Sequence, residues 1–378
     1  MGYGIVINMK TYKTSVVCGK FYPFHKGHHY LIESACKDSD KVVVMVCWRS
    51  DESLPVDIRV QSIKESFPNV EVIAVPCIPD DDDSIGWGKY TIDILGYVPD
   101  AVFSSEDYGE PYANAMGCKH VMVDHARKIV PCSGTMIREN PMKYFDYLAS
   151  PSMRAFYALR IVIVGAESTG TTTLAEALAK YFQTVCVPEY GRTYTKWKYG
   201  SGNKEWKKSD FQHIALEQNR LEDMYAGNAN KVLICDTDSV ATSLWAMRYG
   251  VMIEDMSFNS EFSITPSYER GHSIYILTGD EIPFVQDKDN LRDGEDIRHK
   301  MHKKFESLLN NNRHRSSHII VRGTHGQRMK NAIDYINRLI KTNGGTVCPY
   351  CEKAFKPGET LTSDYNEDVC HIECFNER

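Results

Sequence analysis

Ser15-Val16-Val17-Cys18-Gly19-Lys20-Phe21-Tyr22-Pro23-Phe24-His25-Lys26-Gly27-His28 reads as a strand, a turn and the start of a helix. The apolar, β-branched run ends at a glycine, and from His28 to Cys36 the pattern becomes helical. The same plan recurs in Ile161-Val162-Ile163-Val164-Gly165, a loop, then Thr171 to Phe182, where Leu174, Leu178 and Tyr181 recur at i, i+4 and i+7. Further short apolar runs at 41–48, 70–75, 101–104, 120–123, 231–235, 273–277 and 318–321 alternate with polar or helical stretches. Strands alternating with helices predict parallel sheets covered on both faces, an α/β fold. A helix-like stretch is expected from Pro141 to Ser150, with a domain boundary near Tyr157 and a flexible break at 342–345. The expected domains are therefore 1–156, 157–343 and a small third at 344–378.

The chain has 378 residues with Lys plus Arg 44 against Asp plus Glu 50, a net charge of −6. A general polyanion binder would show a basic excess, so only a local basic pocket is compatible. The longest wholly apolar run, Val42 to Trp48, is far shorter than the roughly 20 residues of a membrane span. Residues 1–13 lack the apolar core of a secretory signal, so a soluble, cytoplasmic protein with no membrane partner is expected. Of 12 cysteines, Cys18, Cys36, Cys47, Cys77, Cys118, Cys132, Cys186 and Cys235 are scattered singly. Several sit in apolar runs, where a thiol behaves as a small hydrophobe. The other four crowd into the C-terminal 31 residues with His371, which reads as a metal site in a reducing compartment.

The first turn fits G-x-F-x-P-x-H-x-G-H from Gly19 to His28. Glycines let backbone approach phosphates, and the helix start offers unpaired N–H groups at a positive dipole end. His25 and His28, three apart, can both face that end and stabilise charge developing on a phosphoryl group. The bland alternative is two histidines capping a turn. A second element, Cys132-Ser133-Gly134-Thr135-Met136-Ile137-Arg138, supplies hydroxyls, amides and an arginine suited to a polyphosphate.

This pair of elements resembles the nucleotidylyltransferase superfamily. Asp57-Ile58-Arg59, Gly86-Trp87, the run from Pro99 to Glu106 and Val123-Asp124-His125-Ala126-Arg127 are similar to nicotinamide mononucleotide adenylyltransferases. The match is nearest to bifunctional bacterial enzymes in which that domain precedes a ribosylnicotinamide kinase. The resemblance implies that Lys20, His25, His28 and Arg138 act on ATP phosphates. It implies further that Gly19, Phe21, Tyr22, Arg59, Trp87, Ser105, Glu106, Asp124, Arg127, Ser133 and Thr135 line the ATP and NAD site. Trp87 would stack on the cationic nicotinamide ring, its alternative being a core aromatic. Asp124 and Arg127 would border the adenosine. The attacking phosphate is already anionic, so alignment, cationic side chains and Mg²⁺ suffice without a general base.

Gly165-Ala166-Glu167-Ser168-Thr169-Gly170-Thr171-Thr172 follows a strand and opens a helix, the context of a phosphate loop. It meets G-x-x-x-x-G-K-[ST] except that Thr171 holds the lysine position. Thr172 remains to bind Mg²⁺ through its hydroxyl, with Thr173 following on the helix. Losing a positive charge at the phosphates weakens transition-state stabilisation. Val232-Leu233-Ile234-Cys235-Asp236-Thr237-Asp238 is an apolar strand ending in carboxylates, as a Walker B strand does. By resemblance, Tyr190, Arg192 and Asp238 would touch the riboside, and Glu189 or Asp236 would take the proton from its 5′-hydroxyl. The run from Pro283 to His299 resembles the kinase lid, and Arg292 and Arg298 could replace the missing charge.

The resemblance covers residues 14–340, and the two activities would run in series from nicotinamide riboside to the mononucleotide to NAD. About 14 residues precede the first expected strand, so no DNA-binding module is expected. A non-catalytic, nucleotide-sensing P-loop domain is the alternative, as is a transferase for another acceptor such as pantetheine phosphate. Homo-oligomers are common among such transferases, and the sequence does not set that state. The tail reads C-x₂-C-x₁₉-H-x₂-C: Cys348, Cys351, His371 and Cys374 form a closed, structural Zn²⁺ site of LIM or treble-clef type. Cys370 competes with His371, although H-x₂-C at the start of a short helix fits better. About 33 residues cannot bury a core alone, so metal would hold the module, and protein docking is open to it. Asp80-Asp81-Asp82-Asp83 reads as a solvated loop, and His299, His302, His314 and His318 as surface or lid residues.

Overall fold

β1 (Tyr12–Gly19) lies at the middle of a five-stranded sheet, and its Val16 and Val17 are completely buried. Its neighbours in chain order are α1 (Lys26–Asp38), β2 (Ser39–Trp48), α2 (Val56–Ser66), β3 (Glu71–Pro76), α3 (Ser84–Leu95), β4 (Ala101–Ser104), α4 (Gly109–Met116) and β5 (Lys119–Met122). The strand order is β3-β2-β1-β4-β5, and every pairing is parallel. The chain moves outward from β1 through β2 and β3, then returns to β1's other flank with β4. That reversal opens a crevice beyond the carboxyl ends of β1 and β4, where ligands of such sheets bind. The structure is a computed structural model, and it describes residues 10–80, 82–200, 205–251, 273–288, 292–310, 318–342, 361–363 and 369–371.

α5 (Gly134–Glu139) and α6 (Pro151–Tyr157) follow β5. The helix-like stretch expected from Pro141 to Ser150 is instead a set of turns with one 3-10 turn at Phe145–Tyr147. Pro151 disfavours helical backbone at Ser150, so the helix begins anew at the proline itself. The turns have a use: Leu148 bridges His25, and the Ala149 N–H donates to Phe24 O at 3.4 Å.

The chain divides into two compact units, Met1–Phe156 and Tyr157–Arg378. The second unit runs β6 (Leu159–Val164), α7 (Thr171–Tyr181), β7 (Cys186–Val187), α8 (Tyr190–Gly200), α9 (Lys208–Ala226), β8 (Val232–Asp236), α10 (Ser239–Arg248), β9 (Ser273–Thr278), α11 (Glu295–Leu309), β10 (His318–Val321) and α12 (His325–Lys341). Its parallel sheet has the order β10-β9-β6-β8-β7, so β6 is again central but its neighbours are β8 and β9. All six residues of β6 are buried. Each of its large apolar side chains contributes roughly 1.5–3 kcal/mol by leaving water, which explains why this run lacks polar alternation. The expected α/β class with parallel sheets is the observed one.

β11 (Leu361–Ser363) and β12 (Val369–His371) form an antiparallel pair with Leu361 opposite His371. His371 therefore ends a strand and does not open a helix. Cys348, Cys351 and Cys374 lie outside the described residues, as do the side chains of Cys370 and His371, and the zinc site with them. Among the described residues, no helix is long and apolar enough to cross a membrane.

Candidate active sites: two phosphate turns

His25 is the N-cap of α1. Its backbone is extended, and its Nδ1 accepts from the Gly27 N–H at 3.1 Å and the His28 N–H at 3.3 Å. An accepting Nδ1 in a neutral imidazole leaves the proton on Nε2, so Nε2 is the nitrogen free to donate. The His28 ring stacks on His25 with centroids 3.7 Å apart, and the Phe21 ring meets His28 edge-on at 4.9 Å. Burial pushes the His25 pKa down to about 3, with the Arg127 charge adding to it. Burial, then His25, pushes His28 well below its usual value too. Capping and phosphate binding are thus compatible here. The histidines therefore favour the neutral form, in which an imidazole still donates one hydrogen bond.

Positive charge comes from elsewhere. Lys20 lines a cavity of about 240 Å³ with Cys18, Gly19, Cys47, Ser84, Trp87, Tyr108 and Tyr112. Arg127 pairs with Glu106 at 2.7 Å and its charge bears on both histidines and on Cys132. Arg138 donates to Tyr22 O and, at 3.1 Å, to Thr135 Oγ1, while its guanidinium lies 4.6 Å from the Tyr22 ring centroid. Ser133 caps α5 by accepting from the Met136 N–H at 3.2 Å. Gly134 is required: a Cβ there would lie 2.6 Å from Tyr22 O. The two sequence elements are therefore in direct contact although more than 100 residues separate Tyr22 from Arg138.

Two residues assigned to the nucleotide have local work. Arg59 is 1% exposed, and its guanidinium donates to Lys20 O at 2.9 Å and to Glu52 Oε2 at 2.7 Å, so it braces the turn from beneath. Asp124 folds its carboxylate onto the Lys128, Ile129 and Val130 amides, which holds it below the usual carboxylate range. Trp87 is the core aromatic that was its alternative, and it also borders a cavity. It is 8% exposed in the core cluster, and its Nε1 donates to Asp80 O at 3.0 Å. Ser105 lies between Ser104, bonded to His120 Nε2 at 2.9 Å, and the Glu106–Arg127 pair. Asp83 of the acidic run caps α3 by accepting from the Gly86 N–H at 2.8 Å. Tyr108, whose hydroxyl donates to Cys18 O at 2.6 Å, was not foreseen, because a lone tyrosine before a helix carries no signal of facing a cleft.

In the second unit, Ser168 and Gly170 adopt φ of +60° and +83°, the left-handed turns that curl the loop after β6. Gly165 admits no side chain, since a Cβ would lie 2.2 Å from Thr278 Oγ1. Thr169 is completely buried, so its side chain braces the loop and does not meet a ligand. Ser168 Oγ accepts from the Val285 N–H at 2.8 Å, and Glu167 Oε2 from the Asp293 N–H at 2.7 Å, which ties both ends of the lid segment to the loop. The Thr172 and Thr171 hydroxyls lie beside the Asp236 carboxylate and favour its charged form. Burial, then Glu189, raises Asp236 to about 6, and burial raises Glu167 to about 7. Thr173 is exposed on α7.

A cavity of about 130 Å³ lies beside this loop, with Glu167, Glu189, Arg192, Asp287 and Arg292 on its polar side. Trp206, Phe211, Trp245 and Tyr249 line it too, the Trp206 ring lying 5.0 Å from Phe211 and 5.2 Å from Tyr249. Sequence analysis missed this aromatic wall, because its members come from separate segments. Arg192 pairs with Glu189 at 3.3 Å. The Tyr190 hydroxyl meets His213 Nε2 at 3.0 Å.

Three assignments need correction. Asp238 is 0% exposed, caps α10 and accepts from the Tyr275 hydroxyl at 2.6 Å, so it is structural. Arg298 is buried against Ile282 O and Glu295, which leaves Arg292 alone of the lid arginines in the cavity. His302 is also buried, 3.2 Å from Glu306 Oε1, and is no surface residue.

Each unit is thus a parallel α/β sheet whose first strand opens into a glycine-bearing turn and a helix N-terminus. Residues 13–78 match the family model described as citrate lyase ligase C-terminal domain, and residues 160–328 match one described as an AAA domain. Over 256 residues the chain is 30% identical to the trifunctional NAD biosynthesis/regulator protein NadR of Salmonella typhimurium, covering 62% of this chain and 62% of that protein. The match therefore spans less than two thirds of that relative's length. A crystal structure of NadR protein in complex with NR superposes with a TM-score of 0.69 at 18% identity, over 87% of this chain and 97% of that one, which shows a shared fold. Over 66 residues, 16% of this chain and 47% of the relative, the chain is 41% identical to phosphopantetheine adenylyltransferase of Mycoplasma capricolum.

Proposed function

We propose that the chain makes NAD in two steps, the second unit phosphorylating nicotinamide riboside and the first adenylylating the product. The observation that carries this reading is the stacked His25–His28 pair at a helix start, at the end of a turn whose Gly19 and Lys20 border a cavity walled by Trp87. Likeness to a NAD-biosynthetic relative over both units supports it.

In the first unit the mononucleotide phosphate attacks the α-phosphorus of ATP, and pyrophosphate leaves. His25 and His28 donate neutral hydrogen bonds, while Lys20, Arg127 and Arg138 offset charge growing on the phosphoryl oxygens. Neutral donors suit this task, since a buried imidazolium would have to be desolvated first.

In the second unit the riboside 5′-hydroxyl attacks the γ-phosphorus. Glu189 lines the cavity, whereas Asp236 is engaged by the two loop threonines, so Glu189 is the base and Asp236 serves the nucleotide side. The Thr172 hydroxyl beside the Asp236 carboxylate is a donor set that fits Mg²⁺, which when bound would neutralise phosphate charge. Arg192 and Arg292 bring cationic charge to the cavity in place of the absent lysine.

Product analysis with riboside, ATP and Mg²⁺ tests this. The wild-type protein yields mononucleotide, then NAD and pyrophosphate. His28→Ala stops at the mononucleotide, and Thr172→Ala uses only supplied mononucleotide. Thr171 at the lysine position favours a second reading, a nucleotide-sensing second unit, and absence of riboside phosphorylation at saturating ATP would select it. A panel of phosphomonoester acceptors, phosphopantetheine included, tests the first unit's specificity.

A further inference from the structure

Arg328, on the first turn of α12, is 4% exposed and lines neither cavity. Its guanidinium joins three loops. Nη1 donates to Thr169 O at 2.6 Å, Nη2 to Gly279 O at 3.0 Å and to Glu281 Oε1 at 2.7 Å, and Nε to Gly323 O at 3.0 Å. Such a junction needs several donors fixed in one plane, which arginine has and lysine lacks.

The bond to Thr169 O has a geometric consequence. A trans peptide carries its C=O and N–H on opposite sides. Holding Thr169 O toward Arg328 therefore turns the Gly170 N–H the other way. The same logic applies one turn earlier, where Thr169 Oγ1 donates to Ala166 O at 2.6 Å and so directs the Glu167 N–H. Thr169 Oγ1 also meets Thr278 Oγ1 at 2.7 Å, tying the brace to β9. With Ser168 and Gly170 both at positive φ, these locked peptides set the curl of the loop. Successive amides in such a curl make an anion-binding concavity.

Thr171 sharpens the point. A loop without lysine leans more heavily on its backbone amides and the α7 N-terminus to grip phosphate. Those dipoles act at full strength only if their directions are set before the ligand arrives.

We propose that Arg328 is a positioning residue for the second unit's phosphate loop: it fixes the Thr169–Gly170 peptide so that a loop without lysine presents its amides to a nucleoside triphosphate. This rests on the kinase reading above and extends it to a residue outside both clefts. It acts through the backbone and touches no reacting atom.

The test uses the full chain with Arg328→Met and Arg328→Lys. Riboside phosphorylation is assayed with ATP and Mg²⁺, and binding of a non-hydrolysable ATP analogue is measured by calorimetry. Adenylyl transfer to the mononucleotide and thermal unfolding report on folding. Arg328→Met is expected to raise KM for ATP and the analogue Kd at least about tenfold, with kcat within about threefold, the pattern of lost uniform binding. Arg328→Lys, which keeps one donor for Thr169 O, recovers at least half of that loss on a logarithmic scale. Adenylyl transfer is unchanged in both variants. A residue that merely pins α12 would lower the unfolding temperature while leaving KM for ATP in place, and that result overturns the proposal. So does an Arg328→Lys variant no better than Arg328→Met. If Arg328→Met fails to fold, the analogue Kd of Arg328→Lys decides, since retention of two bonds or fewer must weaken binding at least about twofold. A wild-type protein that binds the analogue but phosphorylates no riboside would sink the kinase reading, and the analogue Kd series would still judge Arg328.

Discussion

The two turns use burial on charges of opposite sign. In the first unit, burial strips the proton from two histidines, pushing His25 down to about 3. In the second, it raises carboxylates, Glu167 to about 7 and Asp236 to about 6. Both shifts follow from one cause, the cost of keeping a charge away from water. The first turn is met from the front by Arg138 of a distant element, on Tyr22 O, whereas the second is held from behind by Arg328, on Thr169 O.

The largest expected effect separates the two acids. Glu189→Gln should lower riboside phosphorylation by about 10²–10⁴-fold, the usual weight of a general base, with NAD formation from supplied mononucleotide unchanged. Were Asp236→Asn to show that loss and Glu189→Gln little, the roles would exchange. His28→Ala should cost adenylyl transfer about 10²–10³-fold, the scale of one preorganised donor. Phosphorylation of the riboside is the internal control.

The opposed titrations give the next test, in the protein without ligands. The His25 value lies below that of the unfolded chain, so its contribution is present above pH 6.5 and is lost as pH falls toward about 3. The Glu167 value lies above its usual 4.5, so its contribution is present below that pH and is lost as pH rises through about 7. Denaturant midpoints followed from pH 4.5 to 8 should show it. His25→Asn, which keeps the cap, removes a slope of up to about 1.4 kcal/mol per pH unit on the acid side. Glu167→Gln flattens the opposite slope near neutrality. Equal profiles for wild type and both variants would break the comparison. The smallest effect belongs to Trp87→Phe, which loses the bond to Asp80 O and about 1 kcal/mol of stability, with KM for the mononucleotide rising severalfold.

Much of this was legible in the chain. The runs at 101–104 and 318–321 match β4 and β10 residue for residue, since short, mostly apolar β-branched runs between polar stretches favour strands. The turn residues from Gly19 to His28 and from Gly165 to Thr172 were legible for the same kind of reason: close backbone approach and helix starts restrict residue choice locally. Asp238 and Arg298 were misjudged because a polar side chain reads the same whether it meets a ligand or a carbonyl of its own fold. The aromatic wall of Trp206, Phe211, Trp245 and Tyr249 left no local trace at all.

The sequence by itself determined the two strand–turn–helix units, their parallel sheets and the missing lysine, because spacing and residue type act over a few neighbouring positions. Only the tertiary structure decided that His25 is neutral, that Arg138 meets Tyr22 and that Arg328 stands behind Thr169. Burial and hydrogen bonding across 100 residues or more depend on which segments the fold brings together, and no local pattern encodes that.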